Sequence, residues 1–313
     1  MDGTRPTVDH VYQNFVMDSS RWSRWTPRDG DVLVCTSYKA GTTWTQMICG
    51  LLIHQTPTLP RPLAELSPWI DMLLSPIDEV IANCDGQAHR RFVKTHTPLD
   101  ALPYFPNATY LVCGRDPRDV FMSMQHHMSN LDVMKAMSLV AAQGLAVTPP
   151  DPPPDDINER FEQWLTRGSH DWETDGYPFW SHFRHAQTFW AYRHLPNIHF
   201  LHYADLQTDL EGQMRRIAGL LGVTVEAAAW PALVKAATFA EMKANADRVA
   251  PDTHHGIWVS NRDFFHKGES AQWKGALSEA NLRLYEEVKR ARYDPQLVDW
   301  LERGRAAVDP KVV

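Results

Sequence analysis

The 313-residue chain has no excess of basic charge: 31 Lys and Arg stand against 38 Asp and Glu, a net charge of −7. A general nucleic-acid binder carries a basic footprint, so that class is excluded, and any anion site must be a local basic pocket in an acidic surface. There is no run of about 18 apolar residues, the length a membrane-spanning helix needs. Met1 leads into polar sequence without the apolar core of a secretory leader, so neither a signal peptide nor a span is expected. Cysteine is scarce, and Cys35, Cys49, Cys84 and Cys113 show no metal-type or redox spacing. Buried, reduced thiols in a cytoplasmic protein are the expectation. The histidine pairs His126-His127, His182 with His185, and His254-His255 fall in no H-E-x-x-H or Cys/His pattern, so no metal is expected. Repeats and coiled-coil heptads are also missing.

What is there is a globular composition, 43% hydrophobic and 22% charged. The length suits one large α/β domain or two small ones, and one domain over residues 1–313 is expected. Four apolar runs read as strands: Val32 to Thr36, Arg91 to His96, Thr109 to Cys113 and Ile198 to His202. Helical patterns accompany them at Thr42 to His54, Pro117 to Met128, Gln187 to His194 and Leu210 to Leu221. This alternation predicts βαβ units: a central parallel sheet flanked by helices in three layers. Ligands of such sheets sit outside the carboxyl ends of the strands. One stretch breaks the rhythm. Thr148 to Asp156 (TPPDPPPDD) reads as an extended loop, and with the aromatic segment Trp164 to Trp180 it forms an excursion over about 145–182, expected to cover the substrate side.

Three clusters of chemistry fall at predicted strand ends. The first is Lys39-Ala40-Gly41-Thr42-Thr43-Trp44, a tight turn between a buried strand and a helix. Helix-start amides and the positive dipole end make such a turn an anion cradle. Lys39 adds charge, Gly41 close backbone approach, and Thr42 and Thr43 hydroxyl donors. The lysine precedes the glycine and no G-K-[ST] follows, unlike a Walker loop. The second cluster is Lys94-Thr95-His96, in which alternate residues share a face near a strand end. It reads as a histidine base beside an anion-binding lysine, or as the wet face of a half-exposed strand. The third is Arg115-Asp116-Pro117, with Asp116 as helix N-cap, Pro117 at the first helical position and Ser123 about two turns along. Arg115 either binds phosphate in planar bidentate fashion or pairs with Asp116 or Asp119.

Together these motifs resemble those of the cytosolic-type sulfotransferases, whose donor is 3′-phosphoadenosine 5′-phosphosulfate (PAPS) and whose loop commonly reads Thr-Tyr-Pro-Lys-Ser-Gly-Thr-Thr-Trp. Here Tyr38 replaces the proline and Ala40 the serine. The resemblance runs from about residue 31 to 274. It implies the sulfotransferase fold, related to that of P-loop proteins, and a transferase moving a sulfuryl group from PAPS to an acceptor hydroxyl of a phenol, alcohol or glycolipid. Adenosine 3′,5′-bisphosphate (PAP) is the product. His96 is then the base, Lys39 binds the bridging oxygen, and Lys94, Thr42 and Thr43 hold the sulfuryl oxygens.

Arg115 and Ser123 are implied to hold the 3′-phosphate, with Tyr203 by the adenine and Thr238, Phe239 and Met242 against the purine, although aromatic-Met helical spacing also suits a core. Phe264, His266, Lys267 and Gly268 match a late loop that closes on the 3′-phosphate, with histidine in place of the usual arginine. Trp69, Phe92 and His96 are candidate acceptor contacts. The motifs Ser67-Pro68-Trp69, Lys94 to Pro98 and Gly114 to Arg118 look like those of actinobacterial members, some of which sulfate glycolipids. The family's dimer signature is not visible after Trp273, so oligomeric state is open. A P-loop kinase or nucleotide hydrolase, which needs Mg²⁺, and a nucleotide-binding homologue without catalysis are the alternatives.

Overall fold

A computed structural model describes residues 5–146, 148–149 and 151–313. Val147 and Pro150, at the start of the excursion, lie outside the described residues. Four parallel strands form the sheet: β1 (Val32–Thr36), β2 (Phe92–Thr95), β3 (Thr109–Gly114) and β4 (Ile198–His202), in the order β2-β1-β3-β4. Val34 pairs with Lys94, Thr36 with Cys113 and Gly114 with His202, so the carboxyl ends align along one rim.

Nearly every strand residue is buried, as a parallel sheet covered on both faces requires. Alternation assigns the faces. Leu33, Cys35, Val93, Tyr110 and Val112 pack against Phe121, Phe161, Phe183, Phe189 and Trp300. On the opposite face Val34, Phe92, Leu111, Cys113 and Leu201 meet Met47, Ile48 and Leu51 of α1 (Thr42–His54) with Met214 and Ile217 of the helix Leu210–Leu221. This is the three-layer arrangement expected. A third apolar cluster stands above the rim and joins Phe15, Tyr38, Met72, Ala136, Phe179 and Ile257.

β1, β4, α1 and the helix Leu210–Leu221 have the expected bounds. β2 is shorter than expected. Arg91 precedes it, its carbonyl accepting from the Val32 amide at 3.0 Å while its guanidinium is buried on Asp31 (Nη2 to Oδ2 2.5 Å) and the Thr26 carbonyl, which ties down the amino ends of β1 and β2. His96 lies just past the other end. Asp116 caps the helix Pro117–Ser129, its carboxylate accepting from the Arg118 amide at 2.9 Å, with Pro117 in the first turn.

The expected helix Gln187 to His194 is corrected to His182–Trp190. Ser181 caps it, accepting from the Arg184 amide at 2.9 Å, and this moves the start five residues upstream into a His/Arg segment without apolar periodicity. The four cysteines are free and buried. Among the described residues no helix is long and apolar enough to cross a membrane.

Candidate active site

The rim of the sheet opens into a cavity of about 700 Å³. Its floor is the β1–α1 turn. Lys39 (φ 61°) and Gly41 (φ 104°) are both left-handed, and this double reversal delivers the chain into α1 without a side-chain cap. The first-turn amides of α1 are therefore left for a ligand. A Cβ on Gly41 would lie 3.2 Å from the Tyr203 ring and 3.3 Å from the Cys113 sulfur, so the position admits only glycine without a shift. Lys39, Gly41, Thr42, Thr43 and Trp44 line the cavity, whereas Ala40 is wholly buried behind it and contributes backbone alone.

Lys39 makes no ion pair among the described residues. Its Nζ sits 4.3 Å over the Phe264 ring and 3.5 Å from His127 Nδ1. Burial, and then the charge of Arg115, pull its pKa down to about 7. Arg115 is 5% exposed. It donates to the carbonyls of Lys39 (3.0 Å) and Glu269 (3.2 Å) and lies 4.1 Å over the Tyr203 ring.

The carboxylates that were candidates to neutralise Arg115 are engaged elsewhere: Asp116 by Arg118, and Asp119 by the amides of Ala271 and Gln272. The Arg115 Nε is buried without a partner. Burial of a guanidinium without a carboxylate is costly unless an anion completes it. Lys39, Lys94, Arg115 and Lys267 line the cavity against Asp252 and Glu269, a local positive excess in an acidic chain. Ser123, Tyr203, Phe239, Met242, Phe264, His266 and Gly268 complete this polar end. The donor set therefore fits a nucleotide with more than one phosphate-type group.

Lys94 and His96 do project together into the cavity. The Lys94 Nζ is 4.0 Å over the Trp69 ring and 3.9 Å from Asp252 Oδ2, and burial lowers its pKa. His96 is held between Tyr38 and Trp69, with ring centroids 4.5 and 4.8 Å away. Its Nδ1 is 2.7 Å from the Thr36 carbonyl oxygen. A carbonyl can only accept, so Nδ1 carries the hydrogen and Nε2 keeps its lone pair. Burial brings the His96 pKa down to about 3; the Thr36 bond opposes this, and Lys94 and Lys39 add to it. The ring is a neutral base at any ordinary pH.

Two expected contacts lie elsewhere. Phe92 is fully buried under α1, 3.3 Å from where a Gly50 Cβ would be: it shares a face with Lys94 but lies two residues deeper in β2, below the rim. Thr238 is a helix N-cap, its hydroxyl accepting from the Glu241 amide and donating to the Lys235 carbonyl, and it does not line the cavity. The excursion divides. Phe179 reaches the cavity, and Trp180 donates to the His96 carbonyl at 2.7 Å. Trp164 instead packs on Phe121 in the core and borders a second cavity of about 360 Å³.

Several lining residues carried no prior signal of a site. Phe15, Met72, Leu131, Ala136, Ile257 and Trp258 form an apolar end from four separate stretches of chain. His126 and His127 do have a signal, because they follow Ser123 by three and four positions on one helix face. His182 is a strut: it accepts from the Ser37 hydroxyl, and its Nε2 donates to the Arg115 carbonyl at 2.9 Å, tying the ends of β1 and β3. Among the described residues no group of three or more His, Cys, Asp or Glu is placed to hold a metal ion.

A sulfotransferase domain matches residues 29–297. Glycolipid sulfotransferases of Mycobacterium bovis and Mycobacterium tuberculosis are each 36% identical, with 99% of this chain and 99% of theirs covered. Human sulfotransferase 2B1 is 28% identical over 84% of this chain and 67% of its own. Among solved structures, retinol dehydratase in complex with retinol and PAP aligns with a TM-score of 0.67 at 22% identity, covering 89% of this chain and 88% of that one. A mouse sulfotransferase complexed with PAP aligns with the same score at 18% identity, covering 90% of each chain.

Proposed function

This chain belongs to the sulfotransferase family and is a sulfotransferase, and on that premise we propose that it moves a sulfuryl group from PAPS to the hydroxyl of a lipid or small-molecule acceptor, with His96 as general base. The carrying observation is the His96 tautomer, locked by the Thr36 carbonyl so that Nε2 offers a lone pair beside two buried lysines. PAPS supplies the sulfuryl group: a new S–O bond to the acceptor forms as the S–O bond to the departing bisphosphate breaks.

His96 takes the acceptor proton. Lys39, fixed in its left-handed turn, stabilises charge growing on the leaving oxygen, and Lys94 with the α1 amides and threonine hydroxyls holds the sulfuryl oxygens. Arg115 and Ser123 hold the ribose 3′-phosphate, with the buried Arg115 Nε among the donors available to it. Tyr203, Phe239 and Met242 supply the purine's apolar surroundings. Phe179, Met72 and Leu131 offer apolar surface to the acceptor, which suits the glycolipid acceptors named for the mycobacterial relatives.

The test uses labelled PAPS with a panel of glycolipids, alcohols and phenols in the presence of EDTA, since this chemistry asks for no metal. His96→Ala is expected to lower turnover by about 10²–10⁴-fold, the usual loss for a general base, while PAP still binds in a calorimeter. Near-wild-type turnover by that variant on a true acceptor would show that another group is the base.

A further inference from the structure

At the polar end of the cavity two imidazoles lie face to face. The rings of His126, from the helix Pro117–Ser129, and His266, from the late loop, have centroids 3.6 Å apart with their planes tilted by 36°. Both line the cavity with Ser123, Arg115 and Lys267, and His126 stands one turn beyond Ser123 on the same helix face. The groups facing the pair are mainly cationic. Lys267 adjoins His266, and Lys243 donates to the His266 carbonyl at 3.0 Å. Asp263 is the opposing charge, and its carbonyl lies 3.3 Å from His126 Nε2. His127, on the helix side, is kept neutral by burial.

Two imidazolium ions cannot share this spacing without strong repulsion, and His266 is already biased toward neutrality by partial burial, by His126 and by the two lysines. The pair is thus a close stack of rings whose surroundings are short of negative charge. A phosphate dianion set against it supplies what is missing.

We propose that His126 and His266 form a proton-linked clamp for the ribose 3′-phosphate, taking up one proton from solvent as the nucleotide binds. The clamp rests on the donor reading above and adds His126 to the site. It also accounts for histidine where the related loops carry arginine: a permanent cation on one side is replaced by a shared one, which forms when the phosphate arrives. A protonated pair presents N–H donors from both the helix and the loop, closing the loop on the ligand.

The experiment measures Kd for PAP and for AMP by calorimetry on the full chain between pH 6.5 and 8.5. Lys39 faces the 5′ side of both nucleotides, so its own titration cancels in the ratio of the two constants, which isolates the 3′ end. In the wild type the preference for PAP over AMP is expected to fall by up to about tenfold per pH unit across this range, as uptake of one proton requires. His266→Arg should hold the preference constant, and His126→Ala should lower it at pH 6.5. A wild-type preference that is large but independent of pH, the same slope in His266→Arg, or an unchanged preference in His126→Ala would each overturn the clamp and leave the donor reading intact. Equal affinity for PAP and AMP at every pH would overturn both.

Discussion

The two ends of the main cavity are built on different principles. The polar end rests on the strand ladder. Lys39, Gly41 and Thr42 follow β1, Lys94 and His96 mark the end of β2, Arg115 follows β3 and Tyr203 follows β4. Directional bonds fix the key groups: the Thr36 carbonyl holds His96, and the His182 strut and two carbonyls hold Arg115. The apolar end has no such frame. Phe15, Met72, Ala136, Phe179 and Ile257 come from distant parts of the chain and are held by mutual packing. Hydrogen-bonded geometry tolerates little substitution, whereas apolar packing accepts many residues of similar volume. Under the proposed function the polar end sets the chemistry, and the apolar end is free to set acceptor preference.

Substitutions separate the two ends. After His96→Ala, the largest effect belongs to Lys39→Ala, expected to lower turnover by about 10²–10³-fold, the usual loss when one preorganised charge donor is removed. Single-turnover measurement with saturating donor distinguishes this from weakened binding. If activity survived, the polar end would not owe its chemistry to the β1–α1 turn.

A smaller effect is expected in the pH dependence of AMP binding. Burial depresses the Lys39 pKa to about 7, so the free protein loses this cation as pH rises through that value. Affinity is then highest below pH 7 and falls by up to about tenfold per unit above it. Lys39→Arg keeps its charge throughout and should flatten the curve in a calorimetric series, because arginine does not deprotonate in this range.

The smallest effect comes from the apolar end. Ala136→Leu should change the relative kcat/KM for acceptors of different chain length by about tenfold, the scale of a few methylenes, while Kd for PAP stays put. A changed PAP affinity would mean that the two ends are mechanically joined.

Much of the polar end was legible because its residues lie close together along the chain. An apolar run bounded by polar residues gave the extents of β1 and β4, and Asp116-Pro117 announced a helix start that the structure contains. His126 and His127 follow from Ser123 by helical periodicity, although no motif pointed to them. Thr238 looked like a binding residue and is a cap, since threonine before a short helix serves equally well for either purpose. Phe92 was a candidate acceptor contact, yet although it shares a strand face with Lys94 it lies two residues deeper in the sheet, beneath α1. The Trp164 to Trp180 segment divided between core and cavity, which composition alone does not separate.

The order of residues along the chain determined the parallel α/β architecture and the cationic turn, because hydrophobic periodicity, caps and helix-start anion sites are local properties. The meeting of Asp252 with Lys94, of His126 with His266 and of Phe15 with Phe179 was decided only in three dimensions. Such contacts join segments far apart in the chain, and what selects them is the volume left above the sheet rather than any spacing along the backbone.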